Sequence, residues 1–276
     1  MNFDFSEEQL MLRDSVARFV QDDYSFDRRR EISNSPSCMD AKIWRTFAEL
    51  GWLSIPFSEE VGGFGGNSID IGILMEEFGK GLVLEPYLPT VLLFGGLIGE
   101  AGTDEQCRQI LPQVIEGSML GAFAYLERQS RYELTDIKTK ATPNSDGFVL
   151  EGEKVVVNNG HNASSLVVLA RTSGDQFDQD GISLFLVSTE DEGVDRVSYR
   201  MMDGQIVSNF TFCEVSLSTE ALIGDLGNGF SIAEKVIRNA TVAVSAEALG
   251  IMGELNRKTL SYAKTREQFG TSIGSF

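Results

Sequence analysis

The sequence predicts an α+β protein in three parts: an N-terminal helical domain (1–118), a middle β domain of barrel or sandwich type (119–224) and the start of a C-terminal helical bundle (225–276). Three observations predict it. Up to about residue 118, apolar residues recur at helical spacing. From there they give way to β-branched and aromatic runs broken by Gly, Asp and Asn. After "LIGDLGNGF" a helical pattern returns and holds, without a proline, to Arg266.

The elements follow in order. Ser6 and Gln9 form a capping box, each side chain satisfying a free backbone N–H of the first turn. Leu12, Val16, Phe19 and Val20 then give that helix one buried stripe. Further helices are predicted over 41–50, 68–81, 87–102 and 103–117. The glycine-rich "VGGFGG" at 61–66 follows no strand and precedes no Lys-Ser/Thr, so it reads as a connecting turn rather than a phosphate loop. In the β part, "GFVLEGEKVVVNN" (147–159) reads as a hairpin turning at Glu151-Gly152. Strands are predicted over 164–172, 182–189 and 205–217. The last helix is rich in Ala and Ser at its centre, with Gly250 and Gly253, which lets helices approach closely. A helix of that length is normally a bundle member.

Composition excludes several function classes. The formal charge of −18 argues against sequence-independent nucleic-acid binding, which needs Lys and Arg to neutralise phosphates. It leaves room for an anionic small ligand held by a few local cations. Cys38, Cys107 and Cys213 are odd in number and far apart, so neither a disulfide framework nor a metal knuckle is indicated. With His161 as the single histidine, zinc sites and Ser-His triads are poorly supported. "MNFDFSEEQL" lacks the basic and apolar regions of a signal peptide, and no run approaches 18 apolar residues. The expectation is a soluble cytoplasmic protein with no nucleic-acid or membrane partner.

The stretches "FSEEQLMLRDSVARFV", "LGWLSIPFSEEVGGFGG", "DIKTKAT", "GFVLEGEKVVVNNG", "LIGDLGNGF" and "YAKTREQFG", in that order, resemble the acyl-CoA dehydrogenase family over the whole chain. The resemblance implies an N-terminal helical domain, a middle β domain and a C-terminal four-helix bundle. It also implies α,β-dehydrogenation of an acyl-CoA thioester, in which a Glu takes the α-proton and FAD accepts the β-hydride. In the family an Arg-x-x-Phe-Gly motif reaches a neighbouring subunit's FAD. Its match here is Arg266, Phe269 and Gly270, with Gln268 at a position that also contacts the pyrophosphate. A guanidinium suits that task because its planar fork of donors stays charged and matches phosphate oxygens. Without the family context, Arg266 would read as a solvated helix C-terminus favoured by the macrodipole.

The sequence also departs from the family. Val156 and Asn158 stand where a Trp-x-Thr pair covers and bonds the flavin. Leu126 stands at a flavin-facing Thr, and Tyr132 at or near a Ser that serves flavin and substrate. Two lost hydroxyls, each worth about 1 kcal/mol or more if their partners stay buried, would weaken flavin binding. One branch of the family places its catalytic Glu where this chain has Ala240, beside a substrate-facing position that is Thr241. The other branch places it beyond Phe276. No catalytic base is therefore assigned. Glu247 and Glu254 read as structural or exposed, His161 as a lone surface residue, and Lys138 and Lys140 as a charged strand face. Glu127 is acidic and near the expected cleft, but proton transfer is not assigned to it.

Together these readings predict an acyl-CoA dehydrogenase-like FAD subunit working in a homo- or hetero-oligomer with a related chain. Acyl-CoA is the expected substrate, and electron-transfer flavoprotein is a partner the family admits. Two alternatives stay open. One is a non-catalytic structural or ligand-binding subunit with a degenerate flavin site. The other is a complete enzyme with a noncanonical flavin pocket whose remaining bundle lies outside this sequence.

Overall fold

A computed structural model describes residues 4–276. The first three residues, on which the reading of an absent signal peptide partly rests, lie outside the described residues. The chain divides into two compact units: one of the N-terminal segment to Arg30, Ser68–Val83 and Thr241–Phe276, the other of Glu31–Asn67 and Leu84–Ala240. Among the described residues no helix is long and apolar enough to cross a membrane.

In the first unit, α1 (Glu7–Asp22) starts on the predicted capping box. The Ser6 hydroxyl accepts from the Gln9 N–H at 3.2 Å, and the Gln9 side chain accepts from the Ser6 N–H at 3.1 Å. Val16 and Phe19 of its stripe are buried, whereas Leu12 and Val20 are half-buried. The predicted helix at 68–81 is α4 (Ser68–Gly81). Gln9 also ties the two helices through Asp70, at 2.9 Å. The later part of α7 (Gly229–Thr265) crosses α4 with almost no spacing. A Cβ at Gly79 would fall on the carbonyl of Glu247, and one at Gly250 on the carbonyl of Glu76. Glycine is required there by the approach of two backbones.

The second unit joins helices to a sheet. Between the units in sequence runs α2 (Phe26–Asn34), which the spacing argument does not name. The second unit's own α3 (Ala41–Glu49) buries Trp44 and Phe47 against Trp52, with the Phe47 and Trp52 rings 5.1 Å apart. The segment at 61–66 is a connecting turn, with Gly62 and Gly65 at positive φ. The predicted helix at 87–102 begins as a π-helix, Tyr87–Gly95, and continues as α5 (Gly96–Ala101). A second capping box, Thr103 with Gln106, opens α6 (Asp104–Ile115).

Ten strands are present among the described residues: β1 (Gly121–Ala124), β2 (Lys140–Pro143), β3 (Gly147–Asn158), β4 (Ser165–Arg171), β5 (Ile182–Ser188), β6 (Val194–Arg200), β7 (Ile206–Ser218), β8 (Leu222–Ile223), β9 (Glu267–Gln268) and β10 (Thr271–Ser272). Eight form one sheet in the order β6-β7-β3-β2-β4-β5-β8, with β1 parallel to β4. Its core is built on Phe148, Phe185, Phe210, Phe212 and the aliphatic residues around them. Phe148 meets Phe185 edge to face at 5.0 Å, a favoured arrangement of ring quadrupoles.

The expected hairpin at Glu151-Gly152 does not form. Residues 147–158 are one strand, paired along its length with β7. Gly152 sits at φ +144°, and a Cβ there would clash with Thr139; it answers local crowding, not a reversal of the chain. Two bulges compensate each other. β7 carries one extra residue between the pairs Leu150–Val215 and Gly152–Phe212. β3 carries one between Lys154–Phe210 and Val157–Ser208. Each bulge shifts the alternation of side chains by one, so together they restore it.

Candidate functional site

The sheet places three of the sequence-derived positions, Leu126, Val156 and Asn158, at the bulge of β3. Val156 lies in it with φ +54°. A β-branched residue in the left-handed region is an outlier, with a cost of about 1–3 kcal/mol that the surroundings must offset. The Val155 N–H leaves the ladder for the carbonyl of Leu126, at 2.8 Å. The Val156 N–H goes to the Asn209 side-chain oxygen, at 3.1 Å. Asn158 ends the strand, exposed. Tyr132 sits in the loop between β1 and β2. The carbonyl of Ser130 accepts from the N–H of Glu133 at 2.7 Å, and the two residues between, Arg131 and Tyr132, have φ of +42° and +77°. That pattern, with both central residues at positive φ, normally calls for Asn-Gly. The Tyr132 side chain is 88% exposed.

Beneath the loop lies a buried ion pair. Lys154 Nζ donates to Glu127 Oε1 at 2.8 Å, both side chains almost fully buried. Glu127 also accepts from the backbone N–H groups of Lys138 and Thr139, at 2.8 and 3.0 Å, and from Gln129 at 2.8 Å. Burial alone would raise the Glu127 pKa, but Lys154 and these donors overcome it and hold the group at about 2. Burial lowers Lys154, opposed by Glu127. Glu127 is thus committed to an ionised structural role. Lys138 and Lys140 themselves are exposed.

On α7, Ala240 is buried and Thr241 exposed, so the position of one expected base carries a methyl group. Glu247 is half-buried, and desolvation raises its pKa. Glu254 pairs with Arg257 at 2.6 Å and Lys258 at 3.5 Å. His161 is not a lone surface group. It is half-buried, its Nε2 lies 2.8 Å from the carbonyl of Ser37, and its Nδ1 is buried without a partner. Burial, then Arg196 and Arg200, lowers its pKa against the opposing bond to Ser37.

The chain past α7 forms a small hairpin of β9 and β10. Its turn is Phe269-Gly270, at φ +54° and +85°. Phe269 is 95% exposed and meets Phe276 edge to face at 6.4 Å. Gln268 bonds the carbonyl of Glu267 at 2.7 Å. The Arg266 side chain is exposed and has no ion pair or hydrogen bond among the described residues. A guanidinium without an ion pair is a ready donor to phosphate oxygens.

Sequence reasoning missed Asn209 and Tyr199, which hold the bulge from neighbouring strands. It also missed Arg128, bidentate to Glu153 at 2.6 and 3.0 Å. These contacts run between different strands and loops, and no local pattern announces them.

Comparison with known proteins agrees with this architecture. Models of the acyl-CoA dehydrogenase N-terminal and middle domains match residues 6–118 and 122–218. A probable acyl-CoA dehydrogenase of Bacillus subtilis, YngJ, is 30% identical over 281 residues, spanning all of this chain and 73% of its own length. The structure of butyryl-CoA dehydrogenase from Megasphaera elsdenii superposes with a TM-score of 0.90 at 26% identity, over the whole chain and 74% of that protein. A variant of the Tcur3481–Tcur3483 steroid ACAD gives 0.85 at 30% identity, over 98% and 70%. The chain belongs to the acyl-CoA dehydrogenase family, oxidoreductases that act on the CH–CH bond of acyl-CoA with FAD. Two separate groups of residues have chemistry suited to that cofactor: Arg266 and Phe269 carry an exposed cation and ring, and Asn158, at the end of the bulged strand, an exposed carboxamide without a hydrogen bond among the described residues, while Leu126 and Val156 bring no hydroxyl.

Proposed function

We propose that this chain is a flavin-dependent subunit for α,β-dehydrogenation of an acyl-CoA thioester, working in an oligomer. The observation that carries the proposal is the free guanidinium of Arg266 beside the exposed Phe269 turn. Arg266 would hold the FAD pyrophosphate of a neighbouring subunit, with Gln268 beside it and Gly270 allowing close approach. Bound FAD supplies the hydride acceptor. Asn158 would offer the ring edge a carboxamide in place of a hydroxyl, while Leu126 and Val156 give it an apolar seat. Tyr132 and Thr241 would face the substrate. The α-proton needs a carboxylate that position 240 does not supply.

An oligomer is supported by the apolar side chains that α7 leaves exposed, among them Leu249, Met252, Leu255 and Leu260, since soluble proteins seldom leave such a face bare. The two-chain name of the steroid ACAD neighbour favours a related companion chain. The three-part division 1–118, 119–224 and 225–276, a cytoplasmic location, electron-transfer flavoprotein as partner, and bulky steroid or dicarboxylic acyl groups as substrates belong to the same proposal.

A second reading has its own support. Ala240, together with the hydroxyl-free Leu126 and Val156, favours a non-catalytic subunit that serves a companion's FAD and binds none itself. Flavin content of the purified protein tests both, measured alone and after co-expression with a related neighbouring chain. FAD bound by the chain alone sustains the flavin-dependent reading, and FAD only after co-expression favours the subunit that serves a companion's cofactor. FAD in neither would replace it with a purely structural or ligand-binding subunit.

A further inference from the structure

We infer that Asn209 is a positioning residue of a working cofactor face on this chain, and that Tyr199 sets its orientation. The inference rests on the flavin-dependent reading above. It begins with the register of the sheet. Between the pairs Lys154–Phe210 and Val157–Ser208, β3 has one residue more than β7. The ladder therefore has no backbone acceptor on β7 for Val156. The side chain of Asn209, on β7 inside that gap, takes its place, accepting the Val156 N–H at 3.1 Å. A backbone N–H can only donate, so the group facing it is the carboxamide oxygen. Tyr199, on the edge strand β6, donates its hydroxyl to the same oxygen at 3.3 Å.

The bonds on either side of Val156 matter as much. The Val155 N–H is held by the Leu126 carbonyl at 2.8 Å. One extra residue in β3 thus fixes two candidate cofactor positions together: Val156 through Asn209, and Leu126 through Val155. Val156 is at φ +54°, a conformation its β-branched side chain resists, and β3 offers no glycine there. Strain of this kind persists where the surroundings over-determine it, and it clusters at ligand clamps. Asn209 and Tyr199 are that over-determination. With the aromatic cover and hydroxyls lost from the face, the fixed backbone is what remains to seat the ring, so its anchor becomes specific to binding.

The test is FAD affinity, read by flavin fluorescence on the full-length protein in its assembled state, with the absorption spectrum of the bound flavin. Asn209→Leu is expected to weaken binding by about tenfold or more, because it leaves the Val156 N–H without an acceptor, and to shift the flavin band. Asn209→Asp keeps an acceptor and restores affinity to within about threefold. Tyr199→Phe, a change on an exposed ring, weakens binding to an intermediate degree. If Asn209→Leu does not fold, Tyr199→Phe decides alone. A lowered melting temperature with affinity and spectrum unchanged would make Asn209 purely structural and overturn the inference. FAD held only with a companion chain, and insensitive to Asn209 of this one, overturns it while the proposed function stands. No FAD in any preparation ends both.

Discussion

Glu127 and Lys154 show how a single side chain's fate is settled by its surroundings. A carboxylate and an ammonium removed from water cost several kcal/mol each unless paired and hydrogen-bonded; here Glu127 has Lys154, Gln129 and two backbone donors. Glu127→Ala leaves Lys154 buried without its counter-charge and should cost about 3–5 kcal/mol in urea unfolding. The double change Glu127→Leu/Lys154→Met should recover most of that loss, and a double variant no better than the single would refute the pairing argument. The pH dependence has a defined sign. The folded-state pKa of Glu127 is depressed from 4.5 to about 2, so its contribution is complete above the unfolded value. It is lost as pH falls through that window. Glu127→Gln should flatten the stability profile between those values. At Arg266, replacement by Ala should weaken FAD binding about tenfold to a hundredfold, the worth of a charged hydrogen bond. Lys, a point charge without the fork, should recover only part of it.

At the scale of elements, two close approaches set limits that no propensity reveals. Where α4 and α7 cross, Gly79 and Gly250 let each backbone touch the other. Gly250→Ala should destabilise the protein by about 1–3 kcal/mol through overpacking, although Ala is the better helix former. A stabilised variant would show that the helices can separate at no cost. The β9–β10 hairpin gives the opposite case. Phe269 occupies a left-handed turn position with its ring exposed. Phe269→Asn should therefore raise thermal stability, by about 1 kcal/mol of relieved strain, and lower FAD affinity in the same protein. Strain kept at an exposed residue is a sign of use, and unchanged affinity would remove that sign. Helices α1, α3, α4 and α6 were legible in the sequence because caps and apolar spacing are local signals. β3 was not. Glu151-Gly152 carries a plausible turn, and only pairing with β7 shows that Gly152 makes room for Thr139.

For the whole molecule, the expected outcome is an oligomer in solution, checked by sedimentation on the purified chain with and without a related partner. A monomer with α7 uncovered would contradict the reading of its exposed face. The sequence by itself determined the α, β, α order and the family, because periodicity, capping residues and ordered motifs are written along the chain. It also named Arg266, Phe269, Val156, Leu126 and Ala240 as the positions to inspect. The tertiary structure alone decided what surrounds them. It buried Glu127 on Lys154, tied His161 to Ser37, put Val156 in a bulge held by Asn209, and raised Phe269 on a turn. The first three depend on bonds between segments far apart in sequence, and such pairings exist only once the chain has folded, whereas Phe269 is set by a local hairpin whose positive φ the sequence does not announce at a Phe.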